Sequence, residues 1–173
     1  MTTDLTMLTA SALLTGILVM PDGLAKMTLW PTREVLGNRE SPPRLPPWAE
    51  RAERARRNML ENFPHFAVFV LVAHAAGLSN EQTALGAGMF FWARLVHGVV
   101  YITGTWRLRA PAYFTGVAGE WLIISRLLGW GPILGLSIVS AIAVVVFASI
   151  FVLRRQPRIA SLSVALAGSG HGR

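Results

Sequence analysis

The chain reads as an all-α integral membrane protein built as one small helical bundle. Three observations predict this. Of 173 residues, 53% are hydrophobic and only 14% are charged, against about 25% charged in a soluble domain. The apolar residues fall in runs long enough for membrane helices. The basic residues gather between those runs, which is how orientation in a bilayer is encoded. That placement also argues against a nucleic-acid partner, despite the net charge of +7. The absence of cysteine excludes a disulfide framework, a thiolate metal site and a cysteine nucleophile.

The first apolar run, Leu5 to Met20, is extended past Asp22 and Lys26 by Leu24, Ala25, Met27, Leu29 and Trp30. Together these reach the roughly 20 residues that a bilayer needs. A signal peptide would need a positive leading segment, and no Lys or Arg precedes Lys26, so a mature helix is expected. Asp22 and Lys26 are four apart and predict an ion pair. From Pro31 to Pro47 the chain is a loop, because Pro42-Pro43 and Pro46-Pro47 exclude regular helix. A second helix is expected from near Trp48 to about Ala76, kinked at Pro64. Gly77 to Gln82 is a turn, with Ser79 as the expected N-cap and Gln82 as its capping-box partner.

The third helix spans about Asn80 to Thr103, with Gly86, Gly88, Gly98 and Gly104 as sites of close approach. Gly104 to Pro111 reads as a basic turn carrying Arg107 and Arg109. Ala112 to Leu128 is a fourth span with Glu120 and Arg126, and Gly129-Trp130-Gly131-Pro132 then breaks the chain. Ile133 to Leu153 has no charge and is a fifth span. Joining 112–153 into one helix would require about 63 Å, far more than a bilayer's thickness. The expected organisation is a four-helix membrane domain over 1–128, an added C-terminal helix within 129–155 and a disordered tail over 156–173.

Charge tests the count. With five spans, the loop 31–53, the turn 104–111 and everything after Leu153 share one side and hold most of the Lys and Arg. Residues 1–4, 77–82 and 129–132 share the other side and hold none. The positive-inside rule then places the N-terminus outside and the C-terminus in the cytoplasm.

Two polar stripes stand out. Arg54, Arg57, Asn58, Glu61 and His65 recur at helical spacing on one face of the second helix. Arg94, His97 and Tyr101 do the same on the third. Ionisable groups at membrane depth face a bundle interior or a cavity. In antiparallel neighbours the stripes meet in one half of the membrane, and Glu61 is expected to pair with Arg94. A basic, hydrogen-bonding cavity results, suited to an anionic polar molecule together with an apolar one. Two bland readings stand beside it: arginines serving only as a cytoplasmic anchor, and ion pairs that only lock helices. The histidines do not combine with carboxylates at metal-ligand spacing, so no metal is expected.

The run Arg54-Ala55-x-x-Asn58-x-x-Glu61-x-x-Pro64, followed by Arg94-x-x-His97-x-x-x-Tyr101 and Leu108-Arg109-Ala110-Pro111, resembles the MAPEG family, the membrane-associated proteins in eicosanoid and glutathione metabolism. The resemblance covers about residues 1–128 and is nearest to bacterial members. It implies a homotrimer in the bacterial inner membrane, with glutathione bound between subunits near the cytoplasmic face. By matching position, Arg54, Arg57, Asn58 and Glu61 would hold glutathione from the second helix, and Arg94, His97 and Tyr101 would complete the pocket. Arg109 stands where one branch of the family places its thiol-activating arginine. Another branch places it two residues after Ala-Pro, where this chain has Tyr113, so the activating group stays open among Arg109, Arg94 and Tyr101.

The chemistry of such a site is coherent. Arginines match carboxylates in bidentate fashion, and Glu61 would take the ammonium of glutathione. A guanidinium favours the thiolate, which is the nucleophile. The expected activity is a glutathione transferase or peroxidase acting on lipophilic electrophiles that arrive from the membrane lipids, with another low-molecular-weight thiol as a possible co-substrate. The alternatives are a non-catalytic lipid-binding protein of the same fold and a purely structural membrane protein.

Overall fold

A computed structural model describes residues 1–155, and every element in it is a helix. In order these are α1 (Thr3–Ile17), α2 (Met20–Leu29), α3 (Thr32–Leu36), α4 (Pro47–Ala75), α5 (Glu81–Thr103), α6 (Trp106–Leu127) and α7 (Pro132–Arg155). The tail expected over 156–173 lies outside the described residues. The chain divides into two compact units, Met1–Leu136 and the part from Ser137 onward.

Within the first unit α5 is central and packs against α1, α4 and α6. Side-chain contacts give the directions. Asp4 meets Thr83, and Leu18 lies against Gly98, so α1 runs parallel to α5. Arg51 reaches Ile102, Asn62 reaches Arg94, and Phe66 stacks on Phe90, so α4 runs antiparallel. Tyr113 faces Arg94, Gly119 faces Gly86, and Ser125 bonds Gln82, so α6 is antiparallel as well. The result is an up-down-up-down bundle. The Phe66 and Phe90 rings, both fully buried, stack with centroids 3.8 Å apart. Met59, Val70, Ile123 and Leu14 fill the core around them.

Gly86 and Gly119 show how close the helices lie. A Cβ added to either glycine would come within 2.5 Å of the other's carbonyl oxygen, so backbone contact here depends on both having no side chain.

Thr3–Leu29, Glu81–Thr103 and Pro132–Val152 are each long and apolar enough to cross a membrane. Leu13, Ile17, Leu71, Trp92, Val96 and Val99 are exposed on the unit's outside, a belt that suits lipid rather than water. The chain is a membrane helical bundle. α4 and α6 carry more charge, yet both run alongside α5.

Several local expectations are corrected. The first helix is interrupted at Leu18 and Val19, because Pro21 cannot donate an amide to the carbonyl of Ile17. Part of the proline-rich loop forms the short α3. The second helix keeps its expected course, with Pro64 inside α4. The N-cap of α5 is Asn80, not Ser79. Its Oδ1 accepts from the Thr83 amide at 3.0 Å, while Thr83 Oγ1 accepts from the Asn80 amide at 2.9 Å. Ser79 donates instead to buried Asp4 at 2.6 Å, and Gln82 donates to Leu122 and Ser125 across to α6. Nor does the turn after α5 extend to Pro111. Gly104, in the left-handed conformation at φ +85°, closes it at once, and α6 begins at Trp106 with Pro111 inside.

Candidate functional site

The site is built around Arg94, which is 1% exposed. An arginine this deep must be satisfied by its neighbours. Its Nη2 donates to Asn62 Oδ1 at 2.8 Å, and its Nη1 donates to Asn58 Oδ1 at 3.2 Å. Asn62 is itself held, because its Nδ2 donates to the Asn58 carbonyl at 2.7 Å. The guanidinium lies 4.9 Å from the ring centre of Tyr113 and 5.0 Å from that of Phe90. Gly116 leaves room for it, since an added Cβ would meet Arg94 Nε at 3.2 Å. Nε has no hydrogen-bond partner.

One turn further along α5, His97 is buried between Tyr101, at 5.4 Å between ring centres, and Tyr113, at 6.1 Å. The Arg109 guanidinium stacks 4.8 Å from the Tyr101 ring. Because α6 begins early, Arg109 sits on its first turns, opposite the end of α5. The fold therefore brings Arg94, His97, Tyr101 and Arg109 into one cationic and aromatic cluster, with Tyr113 at its centre.

The α4 stripe is placed differently. Arg54, Arg57, Glu61 and His65 are exposed on the outside of the unit. Arg54 lies 3.7 Å from Glu50, and Arg57 lies 4.0 Å from Glu53. Asn58 is half-buried at the border of the stripe and links it to Arg94. The expected Glu61–Arg94 pair is absent. Asn58 and Asn62, four apart, form the line that faces α5, and Glu61 is rotated outward from it. The buried carboxylate in this region is Glu120 of α6, 6% exposed, whose Oε2 lies 3.2 Å from His65 Nδ1 and whose Oε1 has no partner.

A separate charged cluster ties α2 to α4. Asp22, 2% exposed, pairs with Lys26 at 2.8 Å, as the spacing predicts, and also with Arg56 at 3.1 Å. Arg51 Nε donates to the Ile102 carbonyl at 2.9 Å and clamps the end of α5. Among the described residues no group of three or more His, Cys, Asp or Glu is arranged to hold a metal.

Sequence reasoning missed three contributors. Asn62 follows Asn58 by one helical turn, which is the signal that could have found it. Glu120 is a lone acid in an apolar run. Tyr113 follows Ala110-Pro111, but only the packing of α6 shows that it covers Arg94. No curated protein matches the chain. The sequence model of the MAPEG family matches residues 5–129, a span containing the whole Arg94 cluster and the α4 stripe, and the chain belongs to that family.

Proposed function

We propose that the protein binds glutathione between the subunits of a homotrimer and uses it, as thiolate, to conjugate lipophilic electrophiles or reduce lipid hydroperoxides. Membership of the family supports a membrane role in glutathione or lipid metabolism. The observation that carries the finer reading is the link through Asn58. It joins an outward row of unburied charges on α4 to the buried arginine of α5. Charged side chains on the outer face of a membrane helix need a partner, and a neighbouring subunit enclosing a zwitterionic ligand supplies one. Arg54 and Arg57 then meet carboxylates, Glu61 meets the ammonium, Tyr101 and Arg109 lie beside the sulfur, and buried Arg94 lends its charge from behind Asn58. The Arg51 and Arg109 end of the bundle faces the cytoplasm, with the N-terminus outside.

Calorimetry of the purified protein with glutathione and other low-molecular-weight thiols tests binding. The ultraviolet absorbance of bound thiolate, at a pH where the free thiol is protonated, tests activation. Arg109→Ala is expected to abolish the absorbance and leave binding measurable. Lipid binding without thiol binding would replace this proposal with the non-catalytic reading. An alkaline phosphatase fused to the C-terminus should be inactive, and an active fusion would reverse the topology.

A further inference from the structure

His65 and Glu120 lie outside the thiol-binding set and make a unit of their own. His65 is the deepest member of the exposed α4 stripe, four residues beyond Glu61 and so about 6 Å further along the helix axis. Beyond it the exposed face of α4 is apolar, with Val68, Leu71 and Val72. The His65 side chain is 45% exposed, yet its Nδ1 lies 3.2 Å from Oε2 of Glu120, whose side chain is only 7% exposed. A carboxylate beside one imidazole nitrogen favours a proton there and leaves the other nitrogen for acid–base work. Nε2 lies across the ring from that contact, and His65 shares the exposed face of α4 with Arg57 and Glu61. Other groups facing the ring are Phe69 at 6.2 Å, the backbone of Glu61 on its own helix, and Arg94 on α5, near enough for its charge to be felt.

A structural pair has no reason to leave half an imidazole on an apolar outer surface. Nor does it need the second carboxylate oxygen to be buried without a partner. Both features fit a group whose free nitrogen works on something arriving from the lipid.

We infer that His65 is an acid–base residue at the lipid end of the site, positioned by Glu120, and that it protonates the product of conjugate addition to an α,β-unsaturated carbonyl on an apolar chain. This rests on the thiol-site reading above. The thiolate forms a carbon–sulfur bond at the β-carbon. The carbon–carbon π pair moves toward the carbonyl and leaves an enolate. Imidazolium Nε2–H gives its proton to that enolate, and the neutral imidazole is reprotonated by the proton released when the next thiol ionises. Displacement of a halide releases a stable anion and has no use for an acid at this depth, whereas an enolate, like the alkoxide left by peroxide reduction, must be protonated.

The test uses the full-length protein in lipid nanodiscs, glutathione and a medium-chain alkyl vinyl ketone. His65→Gln is expected to bind glutathione and show thiolate absorbance like the unaltered protein. Its turnover of the ketone should fall by about 10²-fold, and the pH–rate limb belonging to the imidazole should disappear. Glu120→Gln should move that limb and lower the rate less. Nitrogen NMR of the histidines should show His65 as the Nδ1–H form, and Glu120→Gln should lose that preference. If glutathione binds and His65→Gln turns over at the unaltered rate with the same pH profile, the acid–base assignment is wrong while the thiol site stands. If glutathione does not bind the unaltered protein, the thiol-site reading fails and the assignment fails with it.

Discussion

α4 and α5 each carry a polar stripe at helical spacing, and the fold treats the two in opposite ways. On α5, Arg94 and His97 are turned inward and are enclosed within the unit by Asn58, Asn62, Tyr113 and Gly116. On α4, Arg54, Arg57 and Glu61 are turned outward, and the two arginines pair only within their own helix, with Glu50 and Glu53. The first stripe is part of the reason the bundle holds. The second is left open, and it is the one that asks for a ligand or a neighbour. A charge at membrane depth does not by itself distinguish these roles, but the presence or absence of a partner on a neighbouring helix does.

The sharpest way to break this contrast is Arg94→Ala. It leaves Asn58 and Asn62 without their donor, and Tyr113 and Gly116 facing a hole. Removing one member of such a buried network costs about 3–5 kcal/mol, so the variant should melt far below the unaltered protein. Equal melting would show that the inward stripe is not structural.

Asn62→Ala is a milder cut, since one guanidinium nitrogen loses its acceptor. An unsatisfied buried donor costs about 1–3 kcal/mol. Denaturation in detergent should show a loss in that range, with the secondary structure unchanged by circular dichroism.

Gly116→Ala probes the same centre from α6. The new methyl would press on the guanidinium at 3.2–3.4 Å, so Arg94 must shift slightly. A loss of about 1 kcal/mol is expected from such overpacking. The thiolate absorbance should fall more than the binding constant, because position rather than charge is disturbed.

Glu61→Gln tests the outward stripe and should have the smallest effect on stability, within about 0.5 kcal/mol for an exposed side chain. Its effect belongs on glutathione affinity, read by calorimetry. A large fall in melting temperature would mean that Glu61 has a buried partner after all.

Helix identity was legible in the chain because long apolar runs and proline-rich breaks are local signals. The second, third and fifth spans lie within a few residues of α4, α5 and α7. Local signals failed where two neighbours competed for one role. Ser79 is a good cap in isolation, but the nearby buried Asp4, from α1, takes its hydroxyl, and Asn80 caps instead. Pro111 looks like the end of a turn, but Gly104 had already closed it.

For the site, the sequence by itself determined which residue types are present and that they recur on helical faces. Periodicity along one helix depends only on that helix, so Arg54, Arg57, Asn58 and Glu61 on one side and Arg94, His97 and Tyr101 on the other could be grouped without coordinates. Which stripe turns inward depends on the rotation of each helix against its neighbours, and that is decided by packing across the bundle. The stacking of Phe66 on Phe90 and the close contact of Gly86 with Gly119 set those rotations. They bring Asn62 rather than Glu61 to Arg94, and they place Glu120, a lone acid in the sequence, against His65.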